Sequence, residues 1–236
     1  MRNLIFRVCL FPLTLIFSTL CWLCVGLGKN NILSHRLECL WGRLLLACGG
    51  IRIEADLSAL TPGATYVFFA NHQSHLDIPA LFAVLSGYNF RFLAKDSLFR
   101  IPVFGPAMAR VGHVAIEREN RRKAMESIAR AVDLVASGVG LLIFPEGTRS
   151  TDFSTLAEFK TGGVIVALKC GCPVAPLIVT GSGHILPKGA RRLRPGTIRV
   201  TALPPVAVSG YTVKDRDAFK THMETLMRNA YLERVR

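Results

Sequence analysis

Beyond residue 50 the sequence alternates short apolar runs with segments of helical periodicity, and this alternation strongly constrains the fold. Seven runs are short, apolar and rich in branched residues, which is typical of strands: residues 51–55, 66–70, 91–94, 113–116, 140–144, 174–179 and 197–203. Apolar residues recur at helical spacing in residues 78–85, 121–136, 163–169 and 214–234. Strands that alternate with helices predict an α/β sheet flanked by helices on both faces.

The first 49 residues have a different character. Residues 8–27 carry no charge and follow Arg2 and Arg7. An uncharged helix of this length could cross a hydrocarbon core about 30 Å thick. Residues 35–48 place apolar residues at helical spacing between charged ones, as in a helix that lies on a membrane surface. A cleaved signal peptide, a full span and an interfacial or re-entrant helix all remain open for the first run. We favour a membrane-associated helical hairpin (1–49) ahead of one α/β domain (50–236).

The cysteines bear on the compartment. There are seven, an odd number, and three of them (Cys9, Cys21 and Cys24) lie in the apolar run, which argues against a disulfide framework. A reducing environment is therefore expected. If the first helix spanned the membrane with its arginines inside, the domain would lie outside. A hairpin avoids this conflict, and it predicts an inner-membrane protein whose α/β domain faces the cytoplasm.

The net charge of +13 indicates an acidic partner, which could be nucleic acid, an anionic membrane or a phosphorylated small molecule. Residues 188–199, which we call the basic segment, contain no acidic residue and five basic ones: Lys188, Arg191, Arg192, Arg194 and Arg199. No interleaved aromatic residues or nucleic-acid motif accompany them. Together with the apolar first run, the segment predicts contact with anionic membrane lipids and no nucleic acid.

Two polar clusters follow directly after strongly apolar strands. The sequence NHQSHLD at residues 71–77 comes after YVFFA, and PEGTRS at 145–150 comes after GLLIF. In open α/β sheets, ligands bind outside the carboxyl ends of the strands. If both strands run parallel, the two clusters meet at one rim of the sheet and form the candidate site.

His72 and Asp77 in the first cluster allow two interpretations. Ser74 and Asp77 match a helix capping box in outline, which would make Asp77 structural and His72 a loop residue. Alternatively, a helix that begins between the two lets Asp77 fold back and hydrogen-bond the imidazole, so that His72 serves as a general base. His75 has no obvious orienting partner and ranks below His72.

The second cluster suits a phosphate. Gly147 would let backbone N–H groups approach an anion closely, and Arg149 can hold a phosphate with two hydrogen bonds. No G-x-S-x-G motif occurs, so a hydrolase with a serine nucleophile is disfavoured. Cys21 and Cys24 have metal-ligand spacing, but no second pair completes a zinc site, and we expect no metal.

These blocks, taken in order, resemble the glycerolipid acyltransferases, the H-x4-D family typified by 1-acylglycerol-3-phosphate acyltransferase. The similarity covers roughly residues 50–205 and rests on NHQSHLD (71–77), GHVAIER (112–118), FPEGTRS (144–150) and CPVAPL (172–177), with AKDSL (94–98) and IPVFG (101–105) between the first two. Two residues depart from the family pattern: Ser97 stands where many members have Glu, and Ala115 where an aromatic residue is frequent. Both departures leave the acceptor open.

The resemblance implies the family's mixed sheet flanked by helices, with His72 and Asp77 as the catalytic pair. It adds Lys95 and Arg118 as candidates for binding the acceptor's phosphate, and Glu146 for shaping the site. Thr148 belongs to the same substrate-binding block as Gly147 and Arg149.

The implied reaction moves a fatty acyl group from acyl carrier protein or coenzyme A to the sn-2 hydroxyl of 1-acylglycerol 3-phosphate, giving phosphatidic acid. A thiolate leaves readily, so one His–Asp pair suffices without a protein nucleophile or a bound cofactor. Two alternatives stay open: acylation of another lysolipid such as lyso-ornithine lipid, and a catalytically silent membrane-binding protein of the same fold.

Overall fold

The computed structural model describes residues 2–116 and 121–235. The strands are β1 (Arg52–Asp56), β2 (Val67–Ala70), β3 (Phe90–Lys95), β4 (Val114–Ile116), β5 (Gly140–Ile143), β6 (Val174–Thr180) and β7 (Thr197–Ala202). The α-helices are α1 (Arg2–Leu23), α2 (Ile32–Cys48), α3 (Asp77–Val84), α4 (Phe104–Val111), α5 (Arg121–Ala136), α6 (Thr161–Cys170), α7 (Ser182–Ile185) and α8 (Arg216–Val235). Short 3-10 helices lie at Lys29–Asn31, Asp96–Arg100 and Val213–Asp215.

The strands form one sheet in the order β1-β7-β6-β2-β5-β3-β4. β6 and β7 pair antiparallel, and the other neighbouring strands pair parallel. The sheet is therefore mixed, which confirms the predicted fold class. The central strands β2, β5 and β6 are buried at every residue. Burial on both faces explains why these strands read as unbroken apolar runs and not as alternating ones.

Helices cover both faces of the sheet, because successive residues of each strand point to opposite sides. On β2, Phe68 belongs to a core that includes residues of α2 and α3. Its neighbour Phe69 belongs to a second core that includes residues of α5, α6 and α8. The result is a three-layer arrangement in which the carboxyl ends of β2, β3 and β5 share one rim.

The predicted strands are all present, with bounds that differ by one residue at most. Helix α4 was not predicted, because Pro102, Gly105 and Pro106 crowd that segment and read as a loop. Pro106 lies in the first turn of α4, where its missing N–H would have no helical partner in any case.

Helices α1 and α2 pack against each other and against the α/β domain. The indole Nε1 of Trp41 in α2 donates to Thr14 Oγ1 in α1 at 3.2 Å. Gly42 lets α2 approach α3 closely, since a Cβ there would lie 2.5 Å from the carbonyl oxygen of Pro79. The carboxylate of Glu38 accepts a hydrogen bond from His113 Nε2, just before β4, at 2.7 Å.

The turn between the two helices is clamped to the domain by Arg91 on β3. Arg91 is 1% exposed. Its guanidinium donates to the carbonyl oxygens of Asn30 (3.0 Å), Asn31 (3.3 Å) and Val111 (3.0 Å). At the other end of the hairpin, Asn3 exchanges two hydrogen bonds with the backbone of Leu193. The hairpin is thus joined to the domain at both ends.

One side of α1 is exposed and strongly apolar. Its large exposed residues are Leu4, Ile5, Val8, Phe11, Leu15, Ile16, Leu20, Trp22 and Leu23. By length and composition, α1 is the one helix of the described residues that could cross a membrane.

Candidate active site

The two polar clusters meet because β2 and β5 are parallel neighbours in the sheet. Each cluster follows its strand directly, so both emerge at the same rim, as the sequence predicted. Two hydrogen bonds tie them together through the backbone of His72. Its N–H donates to Glu146 Oε1 at 2.7 Å, and its carbonyl oxygen accepts from the Ser150 N–H at 2.8 Å.

The imidazole of His72 is held by Asp77. His72 Nδ1 lies 2.7 Å from Asp77 Oδ2, and the Asp77 side chain is fully buried. An ionised carboxylate can only accept a hydrogen bond, so Nδ1 carries the proton and Nε2 keeps a free lone pair. This is the arrangement that a general base needs.

Asp77 also shapes the turn before α3, so part of the capping interpretation holds. The helix begins at Asp77, and the residue at its N-cap position, Leu76, makes no side-chain cap. Asp77 Oδ2 accepts from the backbone N–H groups of Gln73 (2.7 Å) and Ser74 (2.8 Å) as well as from His72. One carboxylate oxygen therefore fixes both the loop and the imidazole. Ser74 contributes to the same turn, because its Oγ accepts from the Leu76 N–H at 3.2 Å while its hydroxyl donates to the Leu186 carbonyl at 2.8 Å.

Phe144, the residue after β5, fixes the plane of the imidazole. Its ring stacks on that of His72 with a centroid separation of 3.9 Å and an angle of 14° between the planes. The His72 side chain remains 14% exposed. The Asp77 carboxylate at one edge and the Phe144 ring on one face restrict the imidazole to one orientation. The contact with Phe144 was not predicted from the sequence.

His72 lines a cavity of about 690 Å³. The wall is mostly apolar and comes from both parts of the chain. Hairpin residues such as Phe17 and Trp41 line it together with Phe82 of α3, Phe92 of β3 and Phe104 of α4. The cavity joins a polar rim to an apolar interior, which suits a ligand with a polar headgroup and a hydrocarbon chain.

Most of the predicted substrate-binding residues lie at the rim. Lys95, Gly147, Thr148 and Arg149 all line the cavity. Gly147 has a φ of +71°, a left-handed conformation that favours glycine. Arg118 lies outside the described residues.

Three further polar residues lie at the rim: Lys160 and Lys188, which the sequence did not assign to the site, and His75, which ranked below His72. Lys160 lines the cavity directly before α6. His75 lines it too, and burial together with the nearby Arg149 guanidinium lowers the pKa of this imidazole. The ammonium of Lys188, from the basic segment, lies 3.4 Å from the Arg149 carbonyl oxygen and 3.5 Å from Thr148 Oγ1. Lys160 and Lys188 lie outside the two polar clusters in the sequence, and the tertiary fold brings them to the rim.

Glu146 does not line the cavity but lies behind it. The side chain is 2% exposed, and its carboxylate accepts from the His72 N–H (2.7 Å) and the Ala157 N–H (3.2 Å). Burial raises the pKa of Glu146 from 4.5 to about 7, and the two N–H donors only partly oppose this shift. Glu146 thus supports the backbone of His72, and its carboxylate is placed away from the substrate cavity.

Among the described residues, no group of three or more His, Cys, Asp or Glu side chains could hold a metal ion. All seven cysteines are free thiols.

Comparison with known proteins identifies the family. The family model described as Acyltransferase matches residues 52–180, more than half of the chain. The chain belongs to the acyltransferase family. The matched stretch contains every candidate site residue from His72 to Arg149, and it confirms the resemblance that the sequence blocks indicated.

Several curated relatives of this acyltransferase carry the same name, 1-acyl-sn-glycerol-3-phosphate acyltransferase. The protein from Chlamydomonas reinhardtii is 43% identical over 61% of this chain and 44% of its own length. That from Limnanthes alba is 32% identical over 84% and 68%, and that from Salmonella typhimurium is 32% identical over 71% and 67%. The chain spans less than half the length of the algal relative.

A solved structure supports the fold of this acyltransferase. The 1-acyl-sn-glycerophosphate (LPA) acyltransferase PlsC from Thermotoga maritima aligns with a TM-score of 0.81 at 22% sequence identity. The alignment covers 98% of this chain and 94% of that one, so it includes the N-terminal helices as well as the sheet.

The raised pKa of Glu146 predicts a pH-dependent stability. Between pH 4.5 and about 7 the folded acyltransferase keeps a proton that the unfolded chain releases, so the free energy of unfolding falls as the pH rises through this window. We expect Glu146→Gln to abolish this fall, which amounts to roughly 3 kcal/mol at most. Chemical denaturation from pH 4.5 to 7.5 would measure it.

The matched control is Glu126→Gln on the exposed side of α5, which should keep the wild-type pH dependence. If wild type and Glu146→Gln lost stability in parallel across the window, the assignment of the titration to Glu146 would be wrong.

Proposed function

We propose that this acyltransferase transfers a fatty acyl group from an acyl thioester to the sn-2 hydroxyl of 1-acylglycerol 3-phosphate, giving phosphatidic acid. The observation that carries the proposal is the His72–Asp77 pair, 2.7 Å apart, at the polar rim of a largely apolar cavity. A hydroxyl nucleophile needs a base, and a lysolipid needs both a polar and an apolar binding region. His72 supplies the base, the rim supplies the polar region, and the cavity wall supplies the apolar region.

In the proposed mechanism, His72 Nε2 accepts the proton of the acceptor hydroxyl as the oxygen attacks the thioester carbonyl carbon. Asp77 stabilises the imidazolium that forms. The tetrahedral intermediate collapses, the carbon–sulfur bond breaks, and the thiolate leaves and regains a proton from the imidazolium. The products are an ester and a free thiol. Acyl carrier protein or coenzyme A carries the acyl group as the thioester donor, and the mechanism uses no bound cofactor.

The acceptor's phosphate suits the cations at the rim. Arg149 and Lys95 line the cavity that contains His72, and Lys188 contacts the same loop. Guanidinium and ammonium groups form charge-assisted hydrogen bonds with phosphate oxygens. The names of the curated relatives support the same acceptor class.

We also propose that the hairpin attaches the protein to one leaflet of the inner membrane, with the domain on the cytoplasmic face. A helix that crossed the bilayer would carry one end about 30 Å away from the domain. Here α1 contacts the domain near both ends, through Asn3 at Leu193 and through Trp22, whose ring lies 4.5 Å from the Arg110 guanidinium carbon. The exposed apolar side of α1 would enter the leaflet, and the neighbouring basic segment would meet anionic headgroups.

Replacement of His72 tests the chemistry. We expect His72→Ala to lower the rate of acyl transfer by about 10²-fold or more, because the acceptor hydroxyl loses its base. The assay supplies membrane preparations with labelled acyl thioester and a panel of lysolipids, including lysophosphatidic acid and lyso-ornithine lipid. His222→Ala, on the exposed side of α8, is the control and should retain activity. Full activity in a folded His72→Ala protein would exclude the general-base role.

Replacement of Arg149 tests the acceptor. We expect Arg149→Ala to lower kcat/KM for lysophosphatidic acid by about 10- to 100-fold, because a charge-assisted contact with phosphate is lost. The loss with an uncharged acceptor such as monoacylglycerol should be small. Arg122→Ala on α5, whose side chain is 80% exposed, is the control. Equal losses with both acceptors would show that Arg149 does not bind the acceptor's phosphate.

Replacement of Phe11 tests membrane attachment. Phe11 is 77% exposed at the middle of α1, so a charge there faces the leaflet and not the core. We expect Phe11→Asp to weaken binding to phosphatidylglycerol vesicles by roughly tenfold or more in a flotation assay, without a change in thermal stability. Met125→Asp, at an exposed apolar residue of α5, should leave binding unchanged. Equal binding by both variants would contradict attachment through α1.

A further inference from the structure

The C-terminal helix α8 reaches the active-site loops through one buried hydroxyl. Tyr231 is 1% exposed. Its hydroxyl accepts a hydrogen bond from Gln73 Nε2 at 2.5 Å and donates one to the carbonyl oxygen of Phe153 at 2.8 Å. A single side chain thus bridges two loops that are 80 residues apart in the sequence.

The first of these loops holds the catalytic pair. Gln73 follows His72 directly and is itself 1% exposed. Its backbone N–H donates to Asp77 Oδ2 at 2.7 Å, the same oxygen that holds His72 Nδ1. The side chain of Gln73 is committed to Tyr231, and its backbone is committed to Asp77. A displacement of Gln73 would therefore disturb the carboxylate that orients the imidazole.

The second loop continues from the acceptor-binding residues. Phe153 lies four residues after Arg149, and the intervening turn is fixed by Ser150, whose hydroxyl donates to Asp152 O at 2.6 Å. The Ser150 N–H donates to the His72 carbonyl at 2.8 Å. Phe153 is further wedged against Gly183, where a Cβ would lie 2.5 Å from its ring. These contacts leave little freedom at Phe153, so its carbonyl is a firm anchor for Tyr231.

We propose that Tyr231 is a positioning residue for acyl transfer. Its hydroxyl fixes the loop of His72 relative to the loop of Arg149, and so sets the distance between the base and the bound acceptor phosphate. This inference rests on the proposed function. An acceptor held by its phosphate at one loop presents its hydroxyl to the other, and a misplacement of about 1 Å in such a pair costs about 10²-fold in rate.

The test replaces Tyr231 with Phe, which keeps the ring and removes both hydrogen bonds. The matched control is Tyr66→Phe. Tyr66 is 5% exposed, and its hydroxyl accepts from the Thr61 N–H at 3.1 Å. It directly precedes β2 and so lies at the amino end of this strand, opposite the rim. Both variants lose one buried hydroxyl, but only Tyr231 contacts the active-site loops.

We expect Tyr231→Phe to lower kcat with lysophosphatidic acid by about 10- to 100-fold, with KM within about threefold of wild type, because Arg149 and Lys95 remain. Tyr66→Phe should keep kcat within about twofold at a similar loss of thermal stability. Gln73→Met breaks the same link from the other side, and the double variant with Tyr231→Phe should be no slower than the slower single variant.

A second measurement does not depend on turnover. The proton on His72 Nδ1 should give an NMR signal in wild type that persists in Tyr66→Phe and is broadened or lost in Tyr231→Phe. An unchanged kcat and an unchanged signal in Tyr231→Phe, or equal losses in both tyrosine variants, would overturn the positioning role. Wild-type protein that transfers no acyl group to any lysolipid would instead overturn the proposed function, while the NMR comparison would still decide the link.

Discussion

The parallel pairing of β2 with β5 is the constraint on which the site depends. Each strand ends in a polar cluster, and parallel neighbours must deliver their carboxyl ends to the same rim. The pairing places His72 within hydrogen-bonding distance of Glu146 and Ser150, although more than 70 residues separate them in the sequence. Both strands are buried at every residue, so the polar residues begin only where the strands end, at the rim.

Two buried carboxylates divide the support of His72 between them. Asp77 holds the imidazole from its Nδ1 edge, and Glu146 holds the backbone N–H of the same residue. Their partners differ: Asp77 contacts the imidazole that the proposed mechanism uses, whereas Glu146 contacts only backbone N–H groups. Burial raises the pKa of Glu146 to about 7, although its two backbone N–H donors oppose the shift. The family blocks name both residues, but only the geometry separates their roles.

The sequence predicted those parts of the fold that local pattern controls. The buried strands and the helix at Arg121–Ala136 follow from apolar runs and periodicity. The spacing of His72 and Asp77 was compatible with both a helix cap and the fold-back of Asp77, and the contacts in the structure show that Asp77 does fold back. Helix α4 was not predicted because Gly105, Pro106 and the preceding Pro102 indicate a loop, but the helix packs against α1. Phe144, Lys160 and Tyr231 could not be found in this way. Each reaches the site through tertiary contacts, and no spacing rule marks an aromatic or a lysine for that position.

The hairpin contributes both to the cavity wall and to the exposed apolar surface. Phe17 of α1 and Trp41 of α2 form part of the wall of the cavity that contains His72, while the opposite side of α1 is exposed and apolar. Under the proposed function, a lysolipid could pass from the leaflet into the cavity along apolar surface, with its phosphate kept near the headgroup level by the cations of the rim. The clamps at Arg91 and Asn3 then have a consequence beyond stability. Because they fix the hairpin to the domain at both ends, the proposed insertion of α1 into the leaflet would also set the height of His72 above the membrane.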